Sequence, residues 1–178
     1  RCVSDGYEPG STFKLITLAS ALDSGAVTLN DSFYCGGQEK FTGREQILNC
    51  WKSAGHGAQT TAQALGNSCN IAFGHIGLRM GGDTFYDYLK SFGVMEKTGV
   101  DLPGEASGLF YERKYLNDPA NYGTSYLITS SFGQSFRITP MQLVRAVAAI
   151  VNGGYVLEPY IVSEVVDADG NTVEKNEK

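Results

Sequence analysis

The chain has 178 residues, enough for one domain or most of a larger one. Its 42% apolar and 19% charged residues, with ten Tyr and nine Phe, predict a globular fold with a sizeable core and argue against disorder. A formal net charge of −5 with no basic stripe argues against a nucleic-acid partner, and no run approaches the roughly 18 apolar residues of a membrane span.

The chain opens at Arg1-Cys2, without an initiator Met or a signal-peptide pattern, and closes on a charged run from Glu174, so a piece of something longer is expected. The first strong element follows Tyr7-Glu8-Pro9-Gly10. Pro9-Gly10 is a turn that cannot continue a helix backwards, so a helix is expected from about Ser11 until Ser24-Gly25 stops it. Ser11 and Lys14 then share one face of its first turn, with the amine in reach of the hydroxyl. A cation there opposes the helix dipole by roughly 0.3–1 kcal/mol, so Lys14 is misplaced for stability alone. The dipole and the buried helix also favour the neutral amine, which can take the proton that makes a serine hydroxyl a poor nucleophile. Free N–H groups of the first turn can help hold an oxyanion. The bland alternative makes Ser11 an ordinary N-cap and Lys14 a solvated residue, because an S-x-x-K string needs structural context.

After this helix, residues 32–59 read as irregular, with strand-like pieces at Phe33-Tyr34 and Ile47-Leu48 and with Trp51 expected to pack onto the core. Cys2, Cys35, Cys50 and Cys69 show no C-x-x-C spacing, so no metal site is expected. Cys35 and Cys50 flank a Gly-rich, hairpin-like stretch and are candidates for a disulfide in an oxidising compartment, the alternative being buried thiols. His56 could belong to a Ser-His-Asp triad, which assembles in space, yet Ser11 already has Lys14, and a structural loop histidine is the preferred reading. His75, inside an apolar run, reads as a core histidine satisfied by a neighbour.

Thr60 caps a second expected helix. Asn67-Ser68-Cys69-Asn70 connects it to a third that runs to about Met80 and closes at Gly81-Gly82, and the connection can aim Ser68 and Asn70 into a cleft. Asp83 is expected to cap a fourth helix that ends at Gly93. Residues 96–105 form a turn-rich loop, and 107–126 read as irregular, with Asp118-Pro119 as a break. In Thr139-Pro140-Met141-Gln142 a threonine cap, proline at the first helical position and glutamine three residues on make a capping box. The apolar helix behind it, to Val151, is expected to bury itself against the Ser11 helix. Tyr155 to Asp167 reads as strand, turning at Asp169-Gly170 into a return strand the chain does not finish.

Taken together, the chain resembles the transpeptidase domain of class B penicillin-binding proteins over essentially its whole length. Of the signature set S-x-x-K, S-D-N and K-T-G, Ser11-Thr12-Phe13-Lys14 matches the first and Ser68-Cys69-Asn70 resembles the second. Thr98 to Glu105 and Thr139-Pro140-Met141-Gln142-Leu143 are also similar to class B members, and Phe33 to Gly37 with Asn49-Cys50-Trp51 look most like the sporulation-specific branch. Lys97-Thr98-Gly99 reads as the third element only as a string. It occupies the loop where the family has a structural turn, so Lys97 is given no catalytic role and the family's own K-T-G strand is expected beyond Lys178.

The resemblance implies an α/β fold of the α+β type, a helical cluster around the Ser11 helix packed on an antiparallel sheet of which this chain supplies only part. Residues 1–178 would be the central part of one domain, lacking its first strands and the K-T-G region. It implies acyl transfer from the D-Ala-D-Ala end of a peptidoglycan stem peptide, with Ser11 as nucleophile, Lys14 as base, Ser68 as proton relay and Asn70 holding the substrate amide. No metal or organic cofactor is implied. Implied partners are stem peptides, β-lactams and, through the parent protein, a cell-wall glycosyltransferase; the implied place is the extracytoplasmic face of the membrane. Rival readings keep the fold but make it a β-lactam sensor or a β-lactamase, or keep the core as a non-catalytic scaffold. The cysteine pair adds a redox-sensitive loop near the cleft as a further hypothesis.

Overall fold

The computed structural model describes residues 1–118 and 123–176. A 3-10 turn over Gly10–Phe13 leads directly into helix α1 (Lys14–Asp23). Strands β1 (Ser32–Cys35), β2 (Gln38–Glu39), β3 (Leu48–Asn49) and β4 (Gly57–Thr60) follow, then α2 (Thr61–Gly66), α3 (Asn70–Ser91), α4 (Arg113–Leu116), α5 (Gly123–Ser130) and α6 (Pro140–Val151). A hairpin of β5 (Glu164–Val166) and β6 (Thr172–Lys175) completes the described part. Strand pairing is antiparallel throughout: β1 with β4 in register Ser32 to Thr60, β2 with β3 in register Gln38 to Asn49, and β5 with β6.

The core forms where α1, α3 and α5 meet, with Phe13, Ile16, Ile71, Phe73, Ile76 and Ile128 fully buried. Small residues let the helices approach. A Cβ on Gly77 would lie 2.7 Å from Ser131 Cβ, while Ser131 Oγ sits 2.7 Å from the carbonyl oxygens of both Phe73 and Ile128. Phe13 packs edge-on against Phe136 with centroids 4.7 Å apart, and Phe136 in turn against Phe110 at 4.9 Å. Tyr7 exchanges backbone hydrogen bonds with Ile138, and Leu109 does so with Arg137. The first pair ties the segment before Ser11, and the second the segment before α4, to the stretch that feeds α6.

The two expected threonine caps are present, whereas Asp83 lies inside α3 and makes no capping bond among the described residues. Thr60 and Thr139 each accept from the backbone N–H three residues on, at 3.2 Å, and their own N–H groups donate to Gln63 and Gln142 at 2.8 Å. α3 breaks where Gly81-Gly82 was expected to end it: Gly81 has φ 74° and ψ 158°, and the helical path resumes beyond it. Asp83 accepts from Asn117 Nδ2 at 2.9 Å. His75 meets Glu39 at 2.9 Å, as a satisfied histidine should.

Several expectations need correction. Trp51 is 67% exposed and does not pack onto the core; its indole N–H donates to the Asn67 carbonyl at 2.9 Å. α4 and the first half of α5 fall in the stretch 107–126 read as irregular: in α5, Gly-Thr-Ser-Tyr-Leu-Ile-Thr-Ser is rich in poor helix formers, and its packing on α3 decides the matter. α6 buries Leu143, Ala146 and Ala149 but leaves Val144 and Val151 exposed, so only one side of it faces α1. From Tyr155 to Asp167 only Glu164–Val166 is strand, whereas the return strand does pair with it over Thr172–Lys175. Of the expected Asp118-Pro119 break, Pro119 lies outside the described residues.

Because Thr139 is buried and its capping box closes α6, Thr139→Ala is expected to lower unfolding stability by about 1–2 kcal/mol. Urea unfolding would register this as a lower midpoint at unchanged slope.

Candidate functional site

Ser11 stands exposed in the 3-10 turn that two glycines place. Gly10 adopts φ 57° and donates its N–H to the Gly133 carbonyl at 2.8 Å. Gly133 adopts φ 84°, and a Cβ there would sit 2.1 Å from the Gly10 carbonyl oxygen. The backbones touch where no side chain fits, which sets the height of Ser11 over the core. Glu8 reinforces the contact by accepting the Ser135 N–H at 2.9 Å.

Lys14, the first residue of α1, is 1% exposed. Its Nζ lies 3.1 Å from Ser11 Oγ, 3.0 Å from Ser68 Oγ, 2.9 Å from the Ser68 carbonyl oxygen and 2.7 Å from Asn70 Oδ1. Ser68 Oγ lies 2.9 Å from Ser11 Oγ, which closes a triangle of two hydroxyls and an amine. Burial first of all pushes the Lys14 pKa down from 10.5 to about 8, against Cys69 and Cys50, which pull it up. A lysine of that pKa is partly neutral near pH 7, and in the neutral form its lone pair can accept the Ser11 proton.

Ser68 reaches this position through a backbone turn of positive φ, 50°. For a non-glycine residue this conformation costs of order 1–3 kcal/mol and persists only where the surroundings impose it. Here α2 ends at Gly66 and α3 begins at Asn70, so a short connection must turn the chain and aim two side chains at once. Ser11, Lys14, Ser68 and Asn70, all four singled out in the sequence, thus come together.

Lys97 does not join them. Glu105 clasps its turn, accepting from Thr98 N–H at 2.6 Å, Thr98 Oγ–H at 2.5 Å and Gly99 N–H at 3.1 Å. Gln142 Nε2 donates to the Glu96 carbonyl at 2.6 Å, which fastens the loop to α6.

Comparison with known proteins gives the family. The penicillin binding protein transpeptidase domain model matches residues 1–178. The chain belongs to that family. It is 44% identical over 162 residues to stage V sporulation protein D of Bacillus subtilis, covering 90% of this chain and 24% of that protein. It is 32% identical over 176 residues to the peptidoglycan D,D-transpeptidase MrdA of Acinetobacter baumannii, covering 97% and 26%. Among solved structures, the D,D-transpeptidase domain of a peptidoglycan glycosyltransferase from Eggerthella lenta superposes with a TM-score of 0.89 at 26% identity, over 99% of this chain and 44% of that one. Penicillin binding protein 3 of Mycobacterium tuberculosis, complexed with aztreonam, gives 0.83 at 27% identity, over 98% and 37%. The chain therefore spans about a quarter of the length of these two curated relatives.

The sequence reading missed two features. Gly133 is one, since a distant glycine carries no local mark of what it touches. The other is a convergence of Cys35, Cys50, His56 and Cys69, one ligand atom from each lying within 4.8 Å of the others. Cys35 and Cys50 are not bonded to each other: all four cysteines are free thiols. The expectation of no metal-ligating group rested on the absence of C-x-x-C, but these ligands come from four separate elements and need no such spacing. His56 belongs to this cluster and not to a triad with Ser11.

Two outcomes follow. The unfolded chain binds the Lys14 proton more tightly than the folded chain does, so Lys14 makes stability rise with pH between about 8 and 10.5, measurable as the pH slope of unfolding free energy lost in Lys14→Met. Gly133→Ala, which strains a φ of 84° and forces the Gly10 carbonyl away, is expected to lower unfolding stability by about 1–3 kcal/mol, read by urea unfolding.

Proposed function

We propose that this chain is the central part of a serine D,D-transpeptidase domain, cross-linking peptidoglycan by acyl transfer. One observation carries the reading: a buried amine stands within 3.1 Å of Ser11 Oγ, Ser68 Oγ and Asn70 Oδ1 together. Neutral Lys14 takes the Ser11 proton as Oγ attacks the carbonyl between two terminal D-alanines of a stem peptide. The tetrahedral oxyanion that forms faces the Ser11 N–H, one of its hydrogen-bond donors. Ser68, touching both Lys14 and Ser11, passes the proton to the departing D-alanine amine. The carbonyl re-forms as an ester to Ser11. An amine of a second stem peptide then attacks the ester, gives its proton back through the same path and leaves a cross-link. Asn70 orients Lys14 through its carbonyl oxygen and has its amide N–H₂ to offer the substrate.

β-Lactams enter as mimics of the dipeptide whose ester with Ser11 does not turn over readily. The second oxyanion donor belongs to the K-T-G strand expected beyond Lys178, and removing one such donor typically costs about 10²–10³ in rate. The parent protein would act on the extracytoplasmic face of the membrane, with a cell-wall glycosyltransferase as its working partner. The 44% identity to stage V sporulation protein D favours a role in sporulation over growth.

The test is intact mass after incubation with penicillin, on this chain and on one extended through the K-T-G strand, each beside Ser11→Ala. A Ser11-dependent adduct in the extended chain is expected, with little in the shorter one. No adduct on a folded extended chain would overturn the acyl-transfer reading and favour a scaffold. Lys14→Met is expected to slow adduct formation by about 10²–10⁴. In the unsubstituted chain the rate is expected to rise with pH through about 8, as Lys14 loses its proton.

A further inference from the structure

Directly behind Ser68 lies a group of side chains that acyl transfer does not use. Cys35 ends β1, Cys50 follows β3, His56 precedes β4, and Cys69 precedes α3, where its Sγ accepts the Ala72 N–H at 3.5 Å. Cys35 and Cys69 are 1% and 0% exposed, and Cys50 is buried with them. Cys50 Sγ lies 4.0 Å from Cys69 Sγ and 3.7 Å from His56 Nδ1. The other imidazole nitrogen, Nε2, is buried with no hydrogen-bond partner among the described residues. A buried ring nitrogen without a partner is costly, and the ring that carries it stands beside three thiols.

We propose that Cys35, Cys50, His56 and Cys69 form a four-coordinate site for a thiophilic divalent cation, zinc by its ligand chemistry, which holds the Ser68–Asn70 connection in place from behind. Three sulfurs and one imidazole make a closed Cys₃His set, the composition of structural zinc sites. With zinc–sulfur bonds of about 2.3 Å, tetrahedral ligands lie about 3.8 Å apart, so the observed 3.7 and 4.0 Å need little adjustment. A disulfide suits the arrangement less well. Its sulfurs would have to close to about 2.05 Å, and one pairing would strand the third thiol and the histidine. The cation displaces the thiol protons as it binds, so its affinity rises with pH.

The site has a structural task at hand. It draws together the Gly-rich segment from Cys35 to Gly57, which owns only two short strand pairs, and the first residue before α3. Cys69 sits between Ser68, held at φ 50°, and Asn70, and both neighbours contact Lys14. Fixing Cys69 Sγ thus fixes the turn on which both polar side chains ride.

The experiment uses the full-length protein that contains these residues, purified under reducing conditions. Elemental analysis should find about one zinc per chain, and cobalt exchanged into its place should show the thiolate-to-metal charge transfer and visible bands of tetrahedral sulfur coordination. Cys35→Ser should lose the metal, while Cys2→Ser, at an exposed cysteine outside the cluster, should keep it. Hydrogen exchange at amides 68–73 should slow by at least about tenfold when zinc is restored to metal-free protein. A folded protein that binds no zinc or cobalt overturns the site, as does a stable disulfide among Cys35, Cys50 and Cys69 in its place. Metal bound with no change in exchange at those amides overturns the positioning role alone. None of these readouts depends on acyl transfer, so its failure and that of the metal site are told apart.

Discussion

The arrangement of this molecule depends on keeping one amine out of water. Lys14 is almost wholly enclosed, and the free energy of its charged form is raised by that enclosure. An uncompensated ammonium could not remain there, so the surroundings supply oxygen atoms: two hydroxyls, a backbone carbonyl and an amide oxygen. Those same atoms are the ones a proton-transfer device needs. Satisfying a buried polar group and assembling reactive chemistry become one structural problem, solved by one set of contacts.

Much of the surrounding architecture reads as support for that set. The meeting of Gly10 and Gly133 places the serine from one side. The turn between α2 and α3 delivers Ser68 and Asn70 from the other. Beneath them, α3 and the end of α5 meet through small residues, and Phe13, at the end of the 3-10 turn, starts a chain of ring contacts through Phe136 to Phe110. The Glu105 clasp and the Thr139 capping box lie farther out and secure α6 and its adjoining loop.

What the sequence revealed, and what it hid, divides along range of interaction. Ser11 and Lys14 were legible because three residues of helix fix their separation, and the Thr139 cap because its chemistry is local. Ser68 and Asn70 gained meaning only beside Ser11 and Lys14, since S-x-N by itself has little information. Gly133, the Cys–His cluster and the exposure of Trp51 were not legible, because each depends on what arrives from elsewhere in the chain. α5 shows the limit from the other side: its local preferences point away from helix, and contact with α3 overrides them.

The joining of Gly10 to Gly133 has a bearing on when the protein becomes reactive. These residues lie far apart in the chain, and Ser11 meets Ser68 across another long interval. Contacts of such separation form late, after the loops between them have been closed. A nascent or partly folded chain therefore holds Ser11 as an ordinary hydroxyl, beside a lysine still open to water and without the Ser68 turn or the glycine contact that raises it. What sets Ser11 apart from any other surface hydroxyl is conferred by the finished fold.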